Sequence, residues 1–263
     1  MSETTFELGT DAAAGAANLV VAVADNKFFL AHRLATWGVG APFLESSVAC
    51  TAIAQEEAGH ARVLYSLLEH FPRELAPVPL EREEDRERKY ALSFLREPST
   101  SWIRGVAALT LVDRALTAVL EACRDSSLVE LRKRALRILG DEGFHRKYAD
   151  GRVRELAASQ VEAAGLEAEL AALLPETLCW FGPAGEPGLE LLVGAGVLSQ
   201  RNEELRQAFL DSLGPVLERT GLRLPVERAA GGAWTYPELP WAEWDSLERR
   251  LTAPATTRAT TSA

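Results

Sequence analysis

Gln55-Glu56-Glu57-Ala58-Gly59-His60 and, much further along, Glu142-Gly143-Phe144-His145 share one spacing, Glu-x-x-His. In an α-helix, residues three apart lie on nearly the same side. Glu57 and His60 therefore aim a carboxylate and an imidazole at one point, and so do Glu142 and His145. Two such helices packed face to face supply the protein half of a carboxylate-bridged dinuclear metal site in a helix bundle.

The segments around these motifs read as helices. From about 16 to 37, Leu19, Val23, Leu30, Leu34 and Trp37 recur with helical period, and Gly38, Gly40 and Pro42 break the run. A second helix spans about 43–70, with Ala49, Ile53, Leu64 and Leu67 on its apolar stripe; Glu57 and His60 fall inside that stripe. Phe71-Pro72 stops it. The polar run Glu81 to Arg88 reads as a solvated linker or surface helix. A third helix, about 101–124, carries Val106, Leu109, Asp113, Leu116 and Leu120, so an acid sits in the middle of an apolar face. Asp125, Ser126 and Ser127 are expected to cap a fourth helix. Its stripe is Leu128, Leu131, Ala135, Ile138, Glu142, His145, Ala149 and Leu156.

Shorter elements are expected at about 167–174 and 202–221, with Pro215 kinking or dividing the latter. A short helix is expected near 241–251, beside Trp234, Tyr236, Trp241 and Trp244. No strand-period run stands out, and the two helix pairs repeat a helix, turn, Glu-x-x-His pattern. The fold class is all-α, with 1–15 as a leader, 16–252 as a single domain and 253–263 as a disordered tail.

The chain of 263 residues is long enough for one large core. Its net charge of −10 argues against nucleic acid or an anionic membrane as the main partner. Cys50, Cys123 and Cys179 form no Cys-x-x-Cys pair, so neither a disulfide framework nor a structural zinc site is indicated. The apolar run Ala12 to Ala24 follows acidic rather than basic residues and is too short to span a bilayer. A cytoplasmic protein with no membrane partner is the expectation.

Only four histidines are present, so two Glu-x-x-His motifs are weak evidence by count alone. Helical phase strengthens them. Glu57, His60, Asp113, Glu142 and His145 all lie in apolar stripes, where an unpaired charge costs several kcal/mol. A shared cation is the simplest compensation; the bland alternative is a buried polar network without metal. His32 and His70 lie off the stripes and read as surface residues.

The segments Ala41-Pro42, Gln55 through His60, Leu111-Val112-Asp113 and Asp141 through His145 resemble the catalytic subunit of the phenylacetyl-CoA epoxidases, multicomponent ferritin-like di-iron oxygenases. Phe181-Gly182-Pro183, Asn202 through Gln207, Gly221-Leu222, Leu224-Pro225 and Trp241 through Trp244 carry the likeness into the C-terminal region. The resemblance implies a ferritin-like four-helix bundle with additional C-terminal helices. It implies iron held by Glu57, His60, Asp113, Glu142 and His145, O₂ and an aromatic acyl-CoA as substrates, and a separate reductase.

One position departs. The family's first-helix glutamate, thirty residues before Glu57, is here Lys27. Asp25 is the nearest acid, about 160° away around the helix. Two irons are expected if Lys27 turns away or is neutral, and one if it is a buried ammonium. The N-terminal helix and chain length also resemble the family's non-catalytic partner subunit. An oxygenase and a non-catalytic structural subunit of such a complex are therefore both open readings, with a structural partner subunit or a second copy of the chain (a homo-oligomer) as the expected partner. A ferritin-type iron-storage or peroxide-scavenging protein is a third, disfavoured by the long aromatic C-terminal region.

Overall fold

A computed structural model describes residues 8–77, 79, 92–97, 101–245 and 250–252. The polar run 81–88, the tail 253–263 and the first half of the expected leader lie outside the described residues. Eight α-helices are present among them. The first, α1 (Thr10–Val39), begins within the expected leader, because Ala13, Ala16 and Ala17 already bury against the core. It is long and apolar enough to cross a membrane, but 67% of its most apolar window is buried in the bundle. The core accounts for that apolarity.

Next come α2 (Leu44–Tyr65) and a 3₁₀ turn, Ser66–His70, which together fill the span expected as one helix. A four-residue helix α3 (Ser93–Arg96) leads to α4 (Trp102–Ala122) and α5 (Val129–Ala157). α1 packs along α2, α4 along α5, and α1 also lies against α4. These four long helices form the ferritin-like bundle, and every residue of the stripes expected on α4 and α5 is buried. His32 and His70 are exposed.

The turn into α5 is built differently from the expectation. Leu128, not a serine, occupies the N-cap position. Ser126 Oγ accepts from the Leu128 N–H, while Ser127 is tied through its backbone to Gly196 and through its hydroxyl to Ala195. Ser101, by contrast, caps α4 by accepting from the Arg104 N–H.

The C-terminal half departs most from the sequence expectations. A single helix α6 (Gln160–Trp180) runs through Pro175, where 167–174 was expected. α7 (Pro187–Gly194) was not anticipated; Pro187 starts it at a position where its missing N–H costs nothing. α8 (Asn202–Thr220) continues through Pro215 without dividing. A proline inside a helix costs about 3 kcal/mol, and burial of Leu205, Phe209, Leu210, Leu213, Val216 and Leu217 outweighs it. The expected helix at 241–251 is instead a 3₁₀ turn, Trp241–Glu243, followed by β3 (Trp244–Asp245) paired antiparallel with β4 (Arg250–Leu251). A second short ladder joins β1 (Glu227–Arg228) to β2 (Trp234–Thr235). α6 and α8 pack on α4 and α5, and α7 packs on α1. Arg114, buried in α4, fastens this outer layer by donating to Thr110 O and Ser212 O and pairing with Asp150.

Candidate metal centre

Each of the four bundle helices sends charged groups to one point in the dry interior. α1 contributes three consecutive buried polar residues, Asp25, Asn26 and Lys27. Asn26 donates to Ala22 O one turn back and accepts from the Leu92 N–H, anchoring the segment that leads into α3. Asp25 accepts from the Tyr65 hydroxyl at 2.6 Å. Lys27 reaches the charged cluster. Its Nζ lies 2.8 Å from Glu57 Oε2 and 2.7 Å from Glu142 Oε1, and all three side chains are buried.

The other oxygens of the same two carboxylates face the opposite way. His145 Nδ1 is 3.0 Å from Glu57 Oε1, 3.6 Å from Asp113 Oδ1 and 3.7 Å from Glu142 Oε2. Thr117, one turn beyond Asp113 on α4, donates to Glu142 Oε2 at 3.2 Å. Glu57, Asp113, Glu142 and His145 each offer one ligand atom, and these atoms lie within 4.8 Å of one another. Asp113 Oδ1 is buried with no hydrogen-bond partner. Three carboxylates, one with an orphaned oxygen, and an imidazole nitrogen fit a divalent transition-metal cation.

His60 stands apart from that group of four. Its Nε2 is 3.1 Å from Asp141 Oδ2, and its Nδ1, buried without a hydrogen-bond partner, is 3.5 Å from Glu142 Oε1 on the Lys27 side. Thus Glu57, Asp113, Glu142 and His145 converge, His60 borders them, and the Lys27 ammonium closes on the remaining oxygens of Glu57 and Glu142.

Two further residues escaped the sequence reading. Glu56 Oε2 is 2.6 Å from His145 Nε2, as Asp141 is bonded to His60. Each acid immediately precedes the glutamate of one Glu-x-x-His motif and reaches the histidine of the other helix. The available signal was the doublet itself, Glu56-Glu57 and Asp141-Glu142. About 100° round the helix from its neighbour, the first acid of each doublet has a surface-facing position, and both are about half exposed. A carboxylate on the outer imidazole nitrogen fixes the tautomer and leaves the inner nitrogen to face a metal.

Electrostatics shape the protonation of the cluster. Burial by itself would lower the Lys27 pKa, but Glu142, Glu57 and Asp113 outweigh it and hold the ammonium charged. Burial likewise works against a charged His145, yet the adjoining Asp113, Glu142 and Glu57 carboxylates leave it pushed up to about 12. Asp113 is raised well above the usual carboxyl value, first by burial and then by the neighbouring Glu142 charge. Glu142, despite burial, is held well below it by Lys27 and His145. Without a metal the centre is therefore neutralised by protons on His145 and Asp113. With a metal those protons leave.

Comparison with known proteins agrees with this geometry. Residues 2–239 match the family described as phenylacetic acid catabolic protein. A curated relative, one of the subunits of 1,2-phenylacetyl-CoA epoxidase from Escherichia coli (strain K12), is 25% identical over 219 residues, covering 80% of this chain and 70% of its own length. With the match running over nearly the whole bundle and its outer helices, the chain belongs to the phenylacetic acid catabolic protein family.

Proposed function

We propose that this protein is an iron-dependent oxidoreductase subunit that activates O₂ and oxygenates an organic substrate, an aromatic acyl-CoA by kinship with the epoxidase. The observation that carries the reading is the buried convergence of Glu57, Asp113, Glu142 and His145, with one carboxylate oxygen left unsatisfied. Those four residues would hold the metal. Iron bound there supplies O₂ chemistry that protein side chains lack.

The chain's own residues prepare the site. Glu56 keeps the proton on His145 Nε2 and so turns Nδ1 inward. Thr117 steers one oxygen of Glu142. The packed bundle excludes water, which strengthens every charge interaction inside it. Electrons would come from a separate reductase, since the sequence carries no flavin, nicotinamide or iron–sulfur motif.

Protein loaded anaerobically with ferrous iron and reduced chemically would be mixed with O₂ and phenylacetyl-CoA, and the product analysed by mass. One added oxygen atom, lost in Glu57→Ala, supports the proposal. No product above that variant's level contradicts it.

One observation favours a second reading, a non-catalytic subunit of such a complex. Lys27 already pairs with Glu57 and Glu142, so the centre can close without metal. In that case Glu57→Ala destabilises the fold and no O₂ is consumed by the native chain.

A further inference from the structure

Glu57 and Glu142 divide their carboxylate oxygens between two positions. On one side, Glu57 Oε1 and Glu142 Oε2 face Asp113 and His145. On the other, Glu57 Oε2 and Glu142 Oε1 close on the Lys27 ammonium at 2.8 and 2.7 Å. His60 borders this second position. Its Nε2 hydrogen bonds with the Asp141 carboxylate, which can only accept, so the ring proton sits on Nε2. In the neutral ring Nδ1 is the nitrogen with a lone pair; it is buried without a hydrogen-bond partner, 3.5 Å from the Glu142 oxygen that Lys27 grips. Two carboxylate oxygens and an imidazole lone pair around one point are a cation's donor set. Here the cation is covalently attached.

We infer that Lys27 permanently fills a second cation position, so that this centre takes a single metal ion beside a fixed ammonium, and that replacing Lys27 by a carboxylate opens a second metal site. The inference rests on the proposed metal centre. Charge supports it: Glu57, Asp113, Glu142 and Lys27 sum to −2, which one divalent ion neutralises, whereas two would leave a dry interior at +2. Were Lys27 only a structural ion pair, its loss would cost stability and create no new binding.

Manganese(II) is the probe, because its electron paramagnetic resonance separates isolated ions from exchange-coupled pairs. The native chain should bind one ion with an isolated-ion spectrum. Lys27→Glu should bind two with a coupled spectrum, and Lys27→Glu combined with His60→Ala should return to one. Two ions or a coupled spectrum in the native chain overturn the inference, as does a single uncoupled ion in a folded Lys27→Glu protein. If Lys27→Glu fails to fold, the native spectrum decides: isolated supports, coupled overturns. A folded native chain that binds no ion overturns the proposed function, and the inference falls with it; two coupled ions in the native chain overturn the inference alone and leave the proposed function standing.

Discussion

Protons and a metal ion compete for the same buried carboxylates. In the metal-free protein His145 keeps its proton up to about pH 12, and Asp113 holds one well above its ordinary range. A divalent ion at these atoms displaces both. Affinity should therefore weaken as pH falls from about 8 to about 6, by up to about 100-fold per unit where two protons exchange, measurable by calorimetric titration in buffers of differing ionisation enthalpy. The metal-free fold follows the opposite sign. Both groups have raised folded-state values, so their stabilisation is complete below their unfolded values, 6.5 for His145 and 3.8 for Asp113. It fades as pH rises toward the folded ones. Melting of the metal-free protein should drop between about pH 6 and pH 9, while the loaded protein should show no such drop. Glu56→Ala should weaken metal binding by about 10- to 100-fold with little change in melting. Lys27→Ala should cost the metal-free fold about 3–5 kcal/mol by removing the ammonium that two buried carboxylates share, read by denaturant unfolding.

The helices place these side chains through close approaches that small residues allow. α4 crosses α1 at Gly105, where a Cβ would sit 2.9 Å from the buried Trp37 ring. Gly105→Ala should destabilise by about 1–3 kcal/mol. Gly59, between Glu57 and His60 on α2, has open space where a Cβ would go, so Gly59→Ala should stabilise the helix by about 0.5–1 kcal/mol. Thermal melting of the two variants separates a packing glycine from a merely tolerated one. The bundle helices were legible in the sequence because each carries an apolar stripe several turns long; α4 and α5 read correctly even where Asp113, Glu142 and His145 interrupt the stripe. α6 was expected as a shorter element, and α8 was expected to kink or divide because Pro215 read as a break, a local rule that burial overrides here. The aromatic residues near the C-terminus gave no period at all. Trp241 and Trp244 stack edge to face, 5.8 Å apart, over a turn rather than along a helix.

Taken together, the bundle and its outer helices enclose a strongly charged cluster in a largely apolar core. Glu57, His60, Glu142 and His145 were readable from the fixed helical spacing, three residues between acid and imidazole, and Asp113 from its place in the middle of an apolar stripe. Lys27 could be located by counting back from Glu57, but its direction could not, since a long side chain can reach the centre or turn from it. Packing against α2 and α5 resolves that: the ammonium points inward, and Asp25 is diverted to Tyr65. Glu56 and Asp141 stayed invisible because surface acids are ordinary, and only the pairing of opposite helices gives them a role. Anomalous diffraction at the iron edge, from crystals grown anaerobically with ferrous iron, reads this arrangement most directly. One peak should lie within bonding distance of Glu57, Asp113, Glu142 and His145, with Lys27 still between Glu57 and Glu142. A map without a peak among those four residues would contradict it.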